Sequence, residues 1–419
     1  MRQISKFIIM KATKLFLFAA LVILFAACQY NGVTEPKTMK VTSVEKELIN
    51  HCNDFSFNLL AQVANNENQE NVILSPLSAS MLLGMMMNGA DGETLAQIQA
   101  VTGFGKDYSL EDINAYYRQL IDVLPALDKY TRLNIANGIW VREDFPVRET
   151  FVQACKNSFD AQAKNVPSFM DQKVLDDINS YAAHHTNNRI KKVIDGNMVD
   201  DNTVIALLNA LYFKSFWADK FSKTNTKKQT FTTLGGQKIQ IDMMHQEEEF
   251  RYSEDKDYQL VELPYKGEKY CADIILPAKD LNIRTWLKTI NAEKWQQMLR
   301  VGKYKVTLAI PKFSLNYKRE LNQDLQALGM IDAFSELKAN FSRLSEKPTS
   351  VSLINQYTFM QVDEEGTEAA AVTVGLFTKS AEPKHVNFIA DRPFLFVIRE
   401  RDHGTILFTA LIGHPEWQN

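Results

Sequence analysis

The chain has 419 residues, 45% hydrophobic and 23% charged, with a formal net charge of −3. This is the composition of a globular protein with enough apolar material for a sizeable core, in one large domain or two or three smaller ones. The first 27 residues carry Arg2, Lys6, Lys11 and Lys14 and no acid, so the remainder carries −7, which argues against nucleic acid as a partner.

An apolar run from Leu15 to Ala27 follows Lys11 and Lys14. It is too short to span a bilayer as a helix and suits a signal-peptide core, so residues 1–27 are expected to be a signal peptide. Met10 starts a more typical signal than Met1. The run ends Leu24-Phe25-Ala26-Ala27-Cys28, which resembles a bacterial lipoprotein cleavage site with Cys28 as the lipidated residue. Phe25 stands where leucine is usual, and an ordinary secretory signal with an incidental cysteine is the other reading. Gln29 is not the aspartate that retains many lipoproteins at the inner membrane, so outer-membrane anchoring is expected. Residues 28–40, with Gly32 and Pro36, read as anchor and tether. Cys52, Cys155 and Cys271 remain, too few and too widely spaced for a disulfide framework.

A single domain is expected over residues 41–419. Val44, Leu48, Phe55, Leu59, Leu60 and Val63 recur at helical spacing over 42–65. Val72 to Leu74 reads as a short buried strand. Ser75 before Pro76 is a strong helix start, and that helix ends at Asn88-Gly89. Its methionines, Met85 to Met87, read as core packing. Thr94 is expected to cap the next helix. Leu133–Val141 reads as a strand and Leu175–Thr186 as a helix. Thr203–Phe213 is apolar and charge-free, as expected of a strand buried on both faces inside a large sheet. Strands follow at Tyr258–Leu263, Cys271–Leu276, Tyr304–Ile310 and Thr358–Val362. The chain closes with a hairpin: strands Phe394–Ile398 and Thr405–Ile412 about a charged turn, Arg399–Gly404.

About thirty residues separate the strand ending at Val362 from the one starting near Phe394. They contain Gly366, Gly375 and Pro383 and no amphipathic period, and loops of this length are usually functional or disordered.

The loop opens Asp363-Glu364-Glu365-Gly366-Thr367-Glu368-Ala369-Ala370-Ala371. This segment resembles the hinge of inhibitory serpins. Ser75-Pro76-Leu77-Ser78 with Gly89 to Thr94, Leu208 to Lys214 with Trp217 and Phe221, Met243 to Gln246, Glu262-Leu263-Pro264-Tyr265, Pro311-Lys312-Phe313, Asp391 to Phe396 and Gly413-His414-Pro415 resemble other segments of that family. The matches run through residues 41–415 in family order. The resemblance implies an α+β fold: one domain of about nine helices and three sheets, with an exposed reactive-centre loop at about 364–391.

It also implies a suicide-substrate inhibitor of serine-type, and as a wider class cysteine, endopeptidases. The protease cleaves the loop, and the loop inserts into the central sheet while the acyl-enzyme is still attached. An inserting strand needs alternate side chains that can enter a core. With Glu368 facing water, Thr367, Ala369, Ala371 and Thr373 face inward, and Ala370 faces out. By the same resemblance Ser75, Ser78 and Asn209 belong to a polar cluster beneath the central strands, and Trp217 lies near the upper mouth of the sheet. Gln356 stands where most relatives have a histidine, and its amide can both donate and accept. Counting sixteen residues on from Glu364 puts the scissile bond after Ser380. A one-residue slip selects Lys379, the basic residue that suits the acidic pocket of a trypsin-like protease. Leu376 or Phe377 would suit elastase- or chymotrypsin-like enzymes, and a count back from Pro393 points nearer Glu382.

No enzyme activity, cofactor or metal is expected, and the protein is expected to be a monomer. There is no Gly-x-Ser-x-Gly, and Gly103-Phe104-Gly105-Lys106 lacks phosphate-loop spacing. His184-His185 are poorly spaced for one metal and are expected to face solvent. The rival is a non-inhibitory serpin, a binding or scaffold protein whose loop is cleaved as a plain substrate.

Overall fold

The computed structural model describes residues 36–367 and 384–418. Local chemistry sets the helix starts. Helix α1 (Ser43–Asn66) opens with a capping box: the Glu45 amide donates to Thr42 Oγ1 at 3.2 Å, and the Thr42 amide donates to Glu45 Oε2 at 2.7 Å. Its apolar face buries Leu48, Phe55, Leu59, Leu60 and Val63. Strand β1 (Asn71–Leu74) leads to Ser75, whose hydroxyl caps α2 (Pro76–Gly89) with proline at the first turn. Helix α3 (Gly92–Val101) starts one turn before the residue expected to cap it. Asp91 is its N-cap, and the buried Thr94 hydroxyl instead accepts the Asn340 amide at 2.9 Å. A second capping box, Ser109 with Asp112, opens α4 (Leu110–Val123).

Strand β2 (Arg132–Arg142), α5 (Glu149–Phe159), β3 (Gln162–Val166), α6 (Gln172–His185) and β4 (Ile205–Phe216) follow. Then come β5 (Lys227–Thr232), β6 (Lys238–Glu254), β7 (Tyr258–Pro264), β8 (Tyr270–Pro277), α7 (Ile283–Leu287), α8 (Ala292–Met298), β9 (Gly302–Pro311), β10 (Phe313–Glu320) and α9 (Asn322–Ala327). The chain ends through β11 (Asn355–Val362), the two-residue β12 (Gly366–Thr367), β13 (His385–Ile389), β14 (Phe394–Glu400) and β15 (Ile406–Ile412). The result is an α+β protein with nine α-helices and three sheets among the described residues. No helix among them is long and apolar enough to cross a membrane.

The largest sheet has nine strands, ordered β1-β15-β14-β8-β7-β6-β9-β13, with β5 on β6. The long β6 pairs β5 through residues 238–243, β9 through 243–252 and β7 through 251–254. A four-stranded sheet runs β12-β4-β2-β3, and β10 pairs β11 in a separate two-stranded sheet.

Two strands differ from the sequence expectation. The terminal hairpin does not turn at Arg399: β14 runs on to Glu400, and both residues are buried. Charge compensation makes this possible. Arg399 Nε donates to Asp273 Oδ2 at 2.6 Å and Nη2 to Glu262 Oε2 at 2.6 Å, while Arg401 Nε reaches Glu262 Oε1 at 2.9 Å. The second difference is β4. It was expected to be covered on both sides, yet Ile205 to Asn209 are only half-buried, because one edge of the strand faces a cleft.

Candidate functional site: a docked hinge above an open sheet

Strands β4 and β11 run side by side in the same direction, but among the described residues they share no ladder. β4 pairs β2 on one edge, β11 pairs β10, and the facing edges stay open. The gap is widest at the bottom, a cavity of about 210 Å³ between Ile205–Leu208 and Val351–Asn355. It narrows to about 70 Å³ around Asn209 and Gln356, and to about 20 Å³ beneath Thr367. Two unpaired strand edges leave backbone donors and acceptors without sheet partners, an arrangement that another strand can satisfy.

The top of the gap is closed by the chain itself. After β11, residues 363–366 reverse direction, with Asp363 and Gly366 exchanging backbone hydrogen bonds at 3.0 and 3.3 Å. Gly366 then pairs with Phe216 and Thr367 with Ser215, antiparallel to β4. Only glycine fits this corner. Gly366 has φ of +147°, and a Cβ there would meet Ser215 O at 2.4 Å. Thr367 is buried, and its hydroxyl lies 2.8 Å from that of Tyr265. The Tyr265 ring stacks on Trp217 at 4.7 Å, and Trp217 Nε1 donates to Asp363 O at 2.9 Å.

Two ion pairs tie the hinge to the body. Glu364 accepts from Lys312 Nζ at 2.9 Å and from Thr226 Oγ1 at 2.8 Å, and the Phe221 amide donates to its carbonyl at 3.0 Å. Burial works against the Glu364 carboxylate, but Lys312, Thr226 and a backbone donor hold it below the ordinary glutamate range. Glu365 pairs with Lys223 at 3.0 Å and lies 4.0 Å from Lys220. Lys312, Lys223, Thr226 and Tyr265 were not singled out in the sequence. Lys312 and Tyr265 do lie inside motifs it displays, Pro311-Lys312-Phe313 and Pro264-Tyr265.

Half-way down, Ser75, Ser78, Asn209 and Gln356 all line the gap. They form two groups. Gln356 Nε2 donates to Ser75 O at 2.8 Å, and its Oε1 accepts from the Ser75 amide at 3.1 Å. Ser75 Oγ donates to Leu407 O at 3.0 Å and receives the Ser78 amide. Asn209, across the gap, donates to Asn137 Oδ1 at 2.7 Å, and its own Oδ1 is buried without a partner. Gln356 thus fastens β11 to the start of α2 and leaves Asn209 to β2.

Glu368, Ala369, Ala370, Ala371, Thr373, Lys379, Ser380 and Cys28 lie outside the described residues. His184 is exposed as expected, while His185 is half-buried with its ring 4.4 Å from that of Tyr181. Glu262, Cys271 and Asp273 converge closely enough to suggest a metal site. The Arg399 guanidinium bonds both carboxylates, however, so the trio is an ion-pair centre.

Comparison with known proteins agrees with this geometry. The sequence model of the family described as Serpin (serine protease inhibitor) matches residues 50–415. Human neuroserpin is 32% identical over 376 residues, covering 87% of this chain and 91% of its own. An uncharacterized serpin-like protein of Methanosarcina mazei is 31% identical, covering 98% of this chain and 100% of its own. Among solved structures, the thermophilic serpin tengpin in its native state superposes with a TM-score of 0.80 at 30% identity, covering 91% of this chain and 97% of its own. The latent state of tengpin superposes at 0.76, covering 91% and 100%.

Proposed function

The chain belongs to the serpin family, and from that premise we propose that it is a working suicide-substrate inhibitor of serine-type endopeptidases. One observation carries the proposal: an open gap between two parallel strand edges, with an antiparallel strand already begun at its top by Gly366 and Thr367.

Continuing that register down β4 sets Ala369 opposite Phe213, Ala371 opposite Leu211 and Thr373 opposite Asn209. Directly opposed residues of an antiparallel pair share a face. Phe213 and Leu211 pack in the main core, so these small loop side chains enter it. Thr373 brings a hydroxyl to the face where Asn209 Oδ1 lacks a partner. Glu368 falls opposite Lys214, on the outer face. Insertion supplies ladder partners to both open edges and covers the half-buried Ile205 to Asn209. The intact form is therefore the less stable one, and cleavage releases that difference to pull an acyl-linked protease away from its substrate position. The serpin contributes no catalytic group.

The scissile bond is proposed to follow Lys379 or Ser380. Lys379 favours a trypsin-like target, and Leu376 and Phe377 offer elastase- or chymotrypsin-like alternatives. A lipid on Cys28 would hold the domain at the outer membrane of a cell envelope, where the inhibitor would face proteases from outside the cell.

The test mixes the protein with trypsin, elastase, chymotrypsin and subtilisin, followed by denaturing gels and mass measurement of the C-terminal fragment. A complex that survives denaturation establishes trapping, and the fragment mass fixes the bond. Cleavage by every protease without any complex would reject inhibition of this panel. An unchanged melting temperature after cleavage would reject insertion itself and favour a scaffold role.

A further inference from the structure

Residues Glu416 to Gln418, beyond β15, lie along the outer edge of β10, opposite the edge that β11 occupies. The Ser314 amide donates to Glu416 O at 2.9 Å, the Gln418 amide to Ser314 O at 2.8 Å, and the Asn316 amide to Gln418 Oε1 at 2.9 Å. Asn71 holds the same segment from upstream. Its Oδ1 accepts the Gly413 and His414 amides at 3.0 and 2.9 Å, and its Nδ2 donates to His414 O at 2.8 Å. The backbone is thus fastened on both sides of Trp417, whose ring stays 44% exposed. That ring lies over Lys312, with Nζ 5.0 Å from the ring centre. The same ammonium donates to Glu364 Oε2 at 2.9 Å. Lys312 is itself anchored by its backbone, since its amide donates to Asp242 O at 2.9 Å. The flexible four-carbon stem is the part of this contact that can still move.

We infer that Trp417 is a positioning residue for the hinge: its ring holds the Lys312 ammonium against Glu364, so the segment beyond β15 secures the turn that closes the top of the gap. The role belongs to the intact molecule and does not depend on loop insertion. Holding a lysine stem in one geometry costs rotamer entropy, and an aromatic face that attracts the cation offsets that cost. Among the described residues Lys312 is the cation bonded to the Glu364 carboxylate, with the Thr226 hydroxyl beside it. Lys223 and Lys220 face Glu365 instead, and Asp363 is a further negative neighbour. The grip on Glu364 therefore depends on where the Lys312 ammonium is kept, and Trp417 supplies its second contact.

The test measures hydrogen exchange of the Trp217 and Phe221 amides, which donate to the Glu365 and Glu364 carbonyls, in the full chain. The variants are Trp417→Ala, Trp417→Leu, Trp417→Tyr, Glu364→Gln and the Trp417→Ala/Glu364→Gln double. At pH 7, Trp417→Ala and Trp417→Leu should exchange about twofold to fivefold faster than wild type, the range of a partly exposed cation–π contact. Trp417→Tyr keeps a ring face and should restore most of the protection. In the Glu364→Gln background Trp417→Ala should add nothing, because the two residues act through one ammonium. The effect of Trp417→Ala should also fade as pH falls below the ordinary glutamate range and Glu364 takes up its proton. The Ser314 and Asn316 amides, which report the seat of the segment on β10, should stay protected throughout. Unchanged exchange in Trp417→Ala, full protection in Trp417→Leu, a ratio that is constant with pH, or effects that multiply in the double variant would each overturn the inference. Equal loss of protection at Ser314 and Asn316 would overturn it too, since the ring would then only seat its own segment.

Discussion

Gln356 grips Ser75 from both sides of one residue, donating to its carbonyl at 2.8 Å and accepting its amide at 3.1 Å. The pair joins β11 to the N-terminus of α2 at the level where the gap begins to narrow. Gln356→Ala should leave the buried Ser75 amide unpaired, while the Ser75 carbonyl keeps the Ala79 amide, costing about 1–3 kcal/mol. The intact protein should melt a few degrees earlier and open its sheet more readily. Calorimetry of intact and cleaved protein checks this, and an intact form as stable as wild type would remove Gln356 from the closure of the sheet.

In the proposed insertion Thr367 fills the first inward position; its hydroxyl already lies on Tyr265 and it is buried. Thr367→Arg would place an unpaired charge there, which is strongly disfavoured. Loop cleavage should continue while the fraction of protease trapped falls about tenfold or more. Trapping that persists unchanged in a titration of active protease would contradict the inward placement.

Glu364 links the hinge to pH. Its folded-state carboxyl titrates below the ordinary 4.5, because Lys312, Thr226 and a backbone donor outweigh the effect of burial. The unfolded chain binds this proton more readily than the folded one. The stabilisation is therefore complete above about pH 4.5 and is lost as pH falls through the folded value. Hydrogen exchange of the Trp217 and Phe221 amides, which donate to the hinge carbonyls of Glu365 and Glu364, reports it. Wild type and Glu364→Gln should differ at pH 7 and draw together as the pH falls below the ordinary glutamate range. Equal exchange at pH 7 would mean the ion pair does not secure the hinge.

The buried ion-pair centre should be sensitive to partial removal. Arg399→Met strands the buried Asp273 without its cation, while Glu262 keeps Arg401, and should cost about 3–5 kcal/mol. Replacing Arg399, Asp273 and Glu262 together with apolar residues of similar volume should recover much of that loss. The midpoint of the first urea transition measures both. A single variant as stable as wild type would show that the cluster is not held dry.

Much of this fold was legible because its signals are local. Ser75-Pro76 announces the start of α2, and the apolar period announces α1. What stayed hidden depends on partners far along the chain. Arg399 and Glu400 read as a turn because a charge in a sequence looks solvated until Asp273 and Glu262 are brought against it. Thr203 to Phe213 read as fully covered because an apolar run has the same appearance whether a strand or a gap lies beside it. Gln356 could be assigned to the central cluster by position, but its choice of Ser75 over Asn209 depends on which strand each is anchored to. The roles of Lys312 and Tyr265 in docking the hinge were equally invisible, although both lie within recognisable motifs.

The pairing of β1 with β15 joins Asn71 to Ile412, and β14 and β15 are interior strands of the nine-stranded sheet. The ribosome therefore makes the middle of that sheet last. Until the final residues emerge, β1 and β8 each lack a neighbour, and the chain cannot close its core piece by piece as it is synthesised. A polypeptide built this way reaches its working form only once β14 and β15 have emerged. The same pairing means that a cut in the loop does not shed the C-terminal piece. β14 and β15 remain woven between β1 and β8 and β13 stays paired with β9, so a nicked molecule stays one particle made of two chains.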